Sequence, residues 1–167
     1  MGHLLVTEDG GVTWAEQPMG LDKTLFGLYF ADGQRGWAVG IDALILHTDD
    51  GGGTWQVQNG STEIRELEQV GFAQAYDNPS LYSIAVVDQN GFAVGEIGAV
   101  FLSTDGGRTW TRRETGKGQK EGVWFRAVSV VSGTHGAIVG AKGQRLMIND
   151  GQVRPPAEVS RAPKAIH

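Results

Sequence analysis

The chain contains no cysteine, which excludes disulfides and thiolate metal sites. No run of 18 apolar residues exists, so nothing in it reads as a membrane-spanning helix. There is no excess of positive charge; the net charge of −5 argues against general nucleic-acid binding. His3, His47 and His135 show no metal-ligand spacing, and no serine lies in a nucleophile elbow. Met1 to Leu5 is not a signal peptide, and because a repeat already begins there, an export signal is expected upstream if one exists. No cofactor and no metal is expected.

Glycine is abundant, at 26 of 167 residues, and it is not scattered. Thr48-Asp49-Asp50-Gly51-Gly52-Gly53-Thr54-Trp55 has near copies at Thr7 to Trp14 and Ser103 to Trp110. The shared pattern is a hydroxyl residue, any residue, Asp, Gly, Gly, any residue, Thr, Trp. A degraded fourth copy stands at Ile148-Asn149-Asp150-Gly151. The aspartates Asp9, Asp50, Asp105 and Asp150 are 41, 55 and 45 residues apart, a period that signals repeated supersecondary units. The pattern reads as a hairpin turn. The Asp carboxylate accepts backbone N–H bonds from two residues on, paired glycines supply positive φ, and Thr and Trp begin the next strand with Trp as an apolar anchor. One carboxylate per turn is far from a calcium site, and with no helix following, the Gly pairs are not phosphate loops. Asp9, Trp14, Asp50, Trp55, Asp105 and Trp110 are therefore structural.

A second element recurs once per unit: Gly36-Trp37-Ala38-Val39-Gly40, Gly91-Phe92-Ala93-Val94-Gly95 and Gly136-Ala137-Ile138-Val139-Gly140. Each is a short apolar run between glycines, a buried strand between tight turns. With the runs before and after it, each unit becomes four short antiparallel strands. The expected fold is all-β: a β-propeller segment of about 3 to 3.5 blades, a partial ring or arc. Residues 1–155 form this segment, with a half blade at 3–18, blades at 23–58, 80–113 and 123–155, and an inserted connection at 59–79. Ile64, Leu67 and Val70 predict a short helix at 62–70. Residues 156–167 read as a flexible tail.

The Gly-Trp-Ala-Val-Gly strand coupled to the Asp turn resembles the photosystem II stability/assembly factor family. The resemblance runs over Leu25 to Trp55 and Leu81 to Trp110, more weakly over Phe125 to Gly151, with Leu5 to Trp14 as a half blade. It implies a non-catalytic role in membrane-protein assembly, a protein partner, with a membrane protein as one candidate, and an extracytoplasmic location, periplasm or thylakoid lumen. The Asp turn alone also occurs in sialidases and other propeller hydrolases, so a carbohydrate-active or glycan-binding propeller is the alternative.

Three places read as candidates for binding. Asp42, Glu96 and Lys142 are the charged tips between second and third strands. Arg112, Arg113, Lys117 and Lys120 form the one basic cluster, suited to an acidic peptide or lipid headgroups. Arg126 falls where the other repeats carry Phe26 and Tyr82, on the strand that tends to line the channel. Glycosidase chemistry needs two carboxylates flanking a bond, and Asp42 and Glu96 are the only pair on equivalent tips. Open edge strands at both ends predict self-association.

Overall fold

The computed structural model describes residues 3–62, 77–113 and 123–156. The expected helix at 62–70, the expected tail at 156–167, and Lys117 and Lys120 fall, apart from Thr62 and Pro156, outside the described residues.

The described residues form one two-stranded and three four-stranded antiparallel sheets, each a meander in chain order. The first pairs β1 (His3–Val6) with β2 (Ala15–Pro18). The second holds β3 (Leu25–Phe30), β4 (Gly36–Gly40), β5 (Ile45–Thr48) and β6 (Gln56–Asn59). The third holds β7 (Leu81–Val87), β8 (Asn90–Gly95), β9 (Val100–Ser103) and β10 (Thr111–Arg112). The fourth holds β11 (Phe125–Ser132), β12 (His135–Gly140), β13 (Arg145–Asn149) and β14 (Gln152–Arg154). This is a partial β-propeller whose three full blades follow a half blade.

Alternation along a strand sends successive side chains to opposite faces, and here both faces are apolar. Trp37, Val39 and Ile45 of the first full blade pack with Leu81, Ile84, Val86 and Ala93 of the second. Phe92, Val94 and Val100 pack on the other side with Phe125, Val128, Ile138 and Ile148 of the third. Ala38, Leu44 and Leu46 pack against Met19, Leu21, Leu25 and Trp55. The core is thus a series of layers between blades. Burying one side chain such as Phe92 contributes about 1.5–3 kcal/mol.

The end sheets show the same rule from the other side. Ile84 is 5% exposed and Val128 9%, yet their counterpart Leu28 is 52% exposed. Val39 and Val94 are fully buried, yet their counterpart Val139 is 48% exposed. Each exposed residue lies on a face that no described sheet covers.

Backbone bonds stitch the blades at one end of the strands. Ala43 N–H donates to the Pro79 carbonyl and Gly98 N–H to the Val123 carbonyl, both at 2.8 Å, so each turn between second and third strands holds the chain entering the next blade. These turns use left-handed backbone: Asp42 and Ala43, Ile97 and Gly98, Lys142 and Gly143 all have φ between 52° and 71°. At the opposite end the first glycine of the Asp turn in each full blade holds the hairpin between first and second strands. Gly51 donates to Gln34, Gly106 to Gln89 and Gly151 to Thr134, at 2.8 to 3.1 Å. The fourth Asp copy is cut to a two-residue turn, with Asp150 at φ 50° and Gly151 at φ 70°.

Glycine also sets how closely the innermost strands approach. A Cβ at Gly27 would lie 2.7 Å from the Tyr82 carbonyl oxygen of the next blade, whereas a Cβ at Gly143 meets nothing within 4 Å. Gly143→Ala is expected to cost about 1 kcal/mol, from left-handed strain alone. Gly27→Ala is expected to cost more, about 2–3 kcal/mol, from forced separation of blades. Urea unfolding measures both; equal losses would contradict this division.

Candidate functional site

The Asp turns are self-contained. In the second copy the Thr48 hydroxyl donates to Asp50 Oδ1 at 2.7 Å and accepts from Gly52 N–H at 2.9 Å. Asp50 accepts the Thr54 N–H at 2.8 Å and the Thr54 hydroxyl at 2.7 Å. Asp9 with Thr7 and Thr13, and Asp105 with Ser103 and Thr109, repeat the arrangement. The carboxylate thus reaches N–H groups three and four residues on, not two, because the Gly-Gly pair carries the chain around it before it returns. Thr and Trp precede the fourth strand and do not begin it, since both fold back on the turn. The Trp14 and Trp55 indole N–H groups donate to Gly11 and Gly52 carbonyls, both at 3.1 Å.

In the third copy that partner is taken. Trp37, from the preceding blade, donates its indole N–H to the Gly107 carbonyl at 3.0 Å, and Trp110 donates to Gln58 Oε1 of that blade at 2.9 Å. His47 is buried and packs against Trp37, the rings tilted by 36° with centroids 4.9 Å apart. Every oxygen of these three carboxylates is engaged within its own turn.

The basic positions share an end of the molecule but not a cluster. Arg113 N–H donates to the Val100 carbonyl, next to the second-to-third strand turn, and its guanidinium donates to the Val153 carbonyl of the next blade. Arg112 pairs with Phe101 on the outermost strand. Arg126 lies on the innermost strand of the following sheet, at the same strand end but the opposite edge.

At that inner edge the three full blades make one arrangement. Each first strand carries a bulge, between Leu25 and Gly27, Leu81 and Ser83, and Phe125 and Ala127. The extra residues are Phe26, Tyr82 and Arg126. A bulge re-aims the side chain it carries, and here the three side chains meet across blade boundaries. Phe26 and Tyr82 stack edge-on with centroids 5.3 Å apart, and the Arg126 guanidinium carbon lies 4.4 Å from the Tyr82 ring centre. Phe26 and Arg126 are both exposed.

Of the charged tips, Asp42 and Lys142 take one turn position and Glu96 the position before it, so Asp42 and Glu96 are not an equivalent pair. Asp42 corresponds to Ile97 and Lys142, all at positive φ; Glu96 corresponds to Ile41 and Ala141, whose N–H groups all donate back to the first strand's approach. Asp42 pairs with Lys23, which is 4% exposed. Glu96 accepts the Tyr82 hydroxyl at 2.5 Å and the Ser80 N–H at 3.2 Å. Burial first, then Glu96, pushes the Tyr82 phenol up to about 12. Sequence reasoning missed Lys23 and the Glu96–Tyr82 bond. A signal for the latter exists: an acid stands where the sister repeats have Ile and Ala. Among the described residues, no group of three or more His, Asp or Glu could hold a metal ion, and no helix is long and apolar enough to cross a membrane.

Residues 1–65 match the family described as photosynthesis system II assembly factor YCF48, and residues 101–112 match the BNR/Asp-box repeat. The photosystem II assembly lipoprotein Ycf48 of Synechococcus sp. (strain CC9902) is 36% identical over 83 residues, half of this chain and 22% of the relative. The chloroplastic photosystem II stability/assembly factor HCF136 of Oryza sativa subsp. japonica is 26% identical over 112 residues, 64% of this chain and 24% of the relative. Two solved structures share the fold at 22% identity: YCF48 from Cyanidioschyzon merolae, with a TM-score of 0.62 over 83% of this chain, and YCF48 bound to a D1 peptide, with 0.59 over 80%. The chain spans less than a quarter of the length of these curated relatives and 41% of each solved one.

The Asp turns set an acid limit on stability. The Thr54 N–H first, then the Thr54 and Thr48 hydroxyls, lower the Asp50 carboxyl to about 2. Asp9 and Asp105 lie well below the usual carboxylate range, chiefly through the Thr13 and Thr109 hydroxyls. Folded values below the unfolded value of about 3.9 mean that protonation favours the unfolded chain. The stabilisation is therefore full above about pH 4 and lost as pH falls toward 2. The melting temperature is expected to fall across that window, and to fall less steeply in Asp50→Asn/Asp105→Asn, which starts lower at pH 7. Circular dichroism melts check this; an unchanged slope in the variant would contradict it. Over residues 1–65 the chain is similar to the photosystem II assembly factors, and it carries Asp-box repeats on a partial β-propeller.

Proposed function

We propose that this chain is a non-catalytic scaffold that binds an extended segment of a membrane protein during its assembly, on the extracytoplasmic side, in the periplasm or thylakoid lumen. The observation that carries the reading is the inner-edge row of Phe26, Tyr82 and Arg126, contributed by three successive blades at one strand end. It offers an apolar edge beside a planar cation, a combination suited to a peptide with a carboxylate next to an apolar side chain. A structural relative is a YCF48 solved with a D1 peptide bound, and the curated relatives are named as assembly factors, which supports a binding role. Against carbohydrate hydrolysis stand the three Asp-turn carboxylates, held by their own turns, and Asp42 and Glu96, paired with Lys23 and Tyr82.

Residues 1–155 act in this proposal as one propeller segment. Arg112 and Arg113 add positive charge at the outer strand of the same end and attract an acidic partner at a distance; Lys117 and Lys120 lie outside the described residues. Exposed Leu28 and Val139 support association of the open faces with further blades or another copy.

A fluorescent D1 peptide titrated against the full chain tests the reading by anisotropy. Saturable binding is expected, weakened about tenfold in Arg126→Gln, equivalent to about 1.4 kcal/mol. No binding, or equal binding by the variant, would overturn it, and turnover of a sialoside or oligosaccharide would establish the alternative.

A further inference from the structure

We infer that Glu96 is a positioning residue: through Tyr82 it holds the Arg126 guanidinium at the inner edge, aimed to take a carboxylate. This rests on the docking reading above and assigns a role to a residue that the peptide itself need not touch.

Both Glu96 oxygens are engaged, Oε2 by the Ser80 N–H at 3.2 Å and Oε1 by the Tyr82 hydroxyl at 2.5 Å. The acid is thus tied to the backbone just before β7 and cannot swing. A short hydrogen bond from a phenol to a carboxylate is of the strong, charge-assisted kind, and it fixes the tilt of the Tyr82 ring. Phe26 meets that ring edge-on, so the ring is held by a neighbour in the preceding blade and by an acid in its own. Arg126, from the following blade, lies over it at 4.4 Å, within the range of cation–π attraction.

The arrangement is specific to this boundary. The counterparts of Glu96 are Ile41 and Ala141, which cannot accept a hydroxyl, and the counterparts of Tyr82 are Phe26 and Arg126, neither with a hydroxyl to donate. Tyrosine and acid occur together only in the blade beside the arginine. A long exposed arginine loses rotamer freedom when it binds; one already seated on a fixed ring loses less, and preorganisation of this kind raises affinity. The phenol, raised to about 12, stays a donor throughout the physiological range.

The test uses the full chain and two readouts. Ala141 shows that alanine is accommodated at this turn position, so Glu96→Ala should fold; Glu96→Gln keeps its carbonyl oxygen as an acceptor for the Tyr82 hydroxyl and loses the bond from the Ser80 N–H. In side-chain NMR, Arg126 proton resonances, identified by their loss in Arg126→Gln, are expected upfield from the Tyr82 ring current. They should return toward unperturbed values in Glu96→Ala and stay shifted in Glu96→Gln. D1-peptide affinity is expected to fall about two- to fivefold in Glu96→Ala, to fall less in Glu96→Gln, and to be unaffected by Glu96→Ala in an Arg126→Gln background. Arg126 resonances indifferent to Glu96→Ala, or an affinity loss that persists without Arg126, would overturn the inference. A ring shift that responds as expected in a protein that binds no peptide would support the positioning and overturn the docking reading instead.

Discussion

A four-stranded sheet with apolar side chains on both faces has no interior of its own. The contact between neighbouring sheets is therefore the interaction on which everything else here depends. Trp37 and Phe92 occupy corresponding places on second strands and fill successive gaps between blades. The glycine at 27 lets the innermost strands come within reach of each other, and the Val128 N–H bonds the Ser83 hydroxyl across the next boundary at 3.2 Å. Because side chains at that edge come from different blades, the Phe26–Tyr82–Arg126 row exists only when the blades are docked. Stability and the candidate site share one cause.

The two ends of the strands divide the work. At one end, Asp turns close on themselves with bonds from Thr and Ser hydroxyls and backbone N–H groups, and their first glycine ties each to the neighbouring hairpin. The chemistry is repeated because its task is the same in each blade. At the other end the turns hold the chain entering the next blade through backbone groups alone. That leaves the side chains free to differ: Ile41, Glu96 and Ala141 at one position, Asp42, Ile97 and Lys142 at the next. Variation is tolerated where the backbone carries the structural load, which is why recognition is proposed there.

Much of the fold was legible in the sequence for this reason. The Asp-Gly-Gly pattern and the Gly-bounded apolar runs are local signals with local causes, and they set the strands of each blade with short errors. Trp55 and Trp110 look like first members of a strand because each is an aromatic residue before an alternating run; the indole bonds, from Trp55 to its own turn and from Trp110 to Gln58 of the preceding blade, are invisible without coordinates. The pairing of Glu96 with Asp42 as like tips failed because a one-residue offset in a turn changes which residue takes the positive φ. Arg126 was placed correctly against Phe26 and Tyr82 by repeat alignment, but its contact with Tyr82 depends on three bulges, and a bulge in a repeat leaves no mark when every copy has one. Arg113 read as a free basic residue, and its bond to Val153, forty positions away, could not be inferred from local pattern.

Docking at the inner edge, at the strand end where backbone groups join the blades, can be followed residue by residue in a backbone amide NMR titration of the chain with D1 peptide. Shifts are expected to group at Phe26, Tyr82, Glu96, Arg126 and Lys142, with Asp50 and Asp105 and their turns unmoved. Shifts centred on the Asp turns, or spread without focus over the sheets, would contradict it.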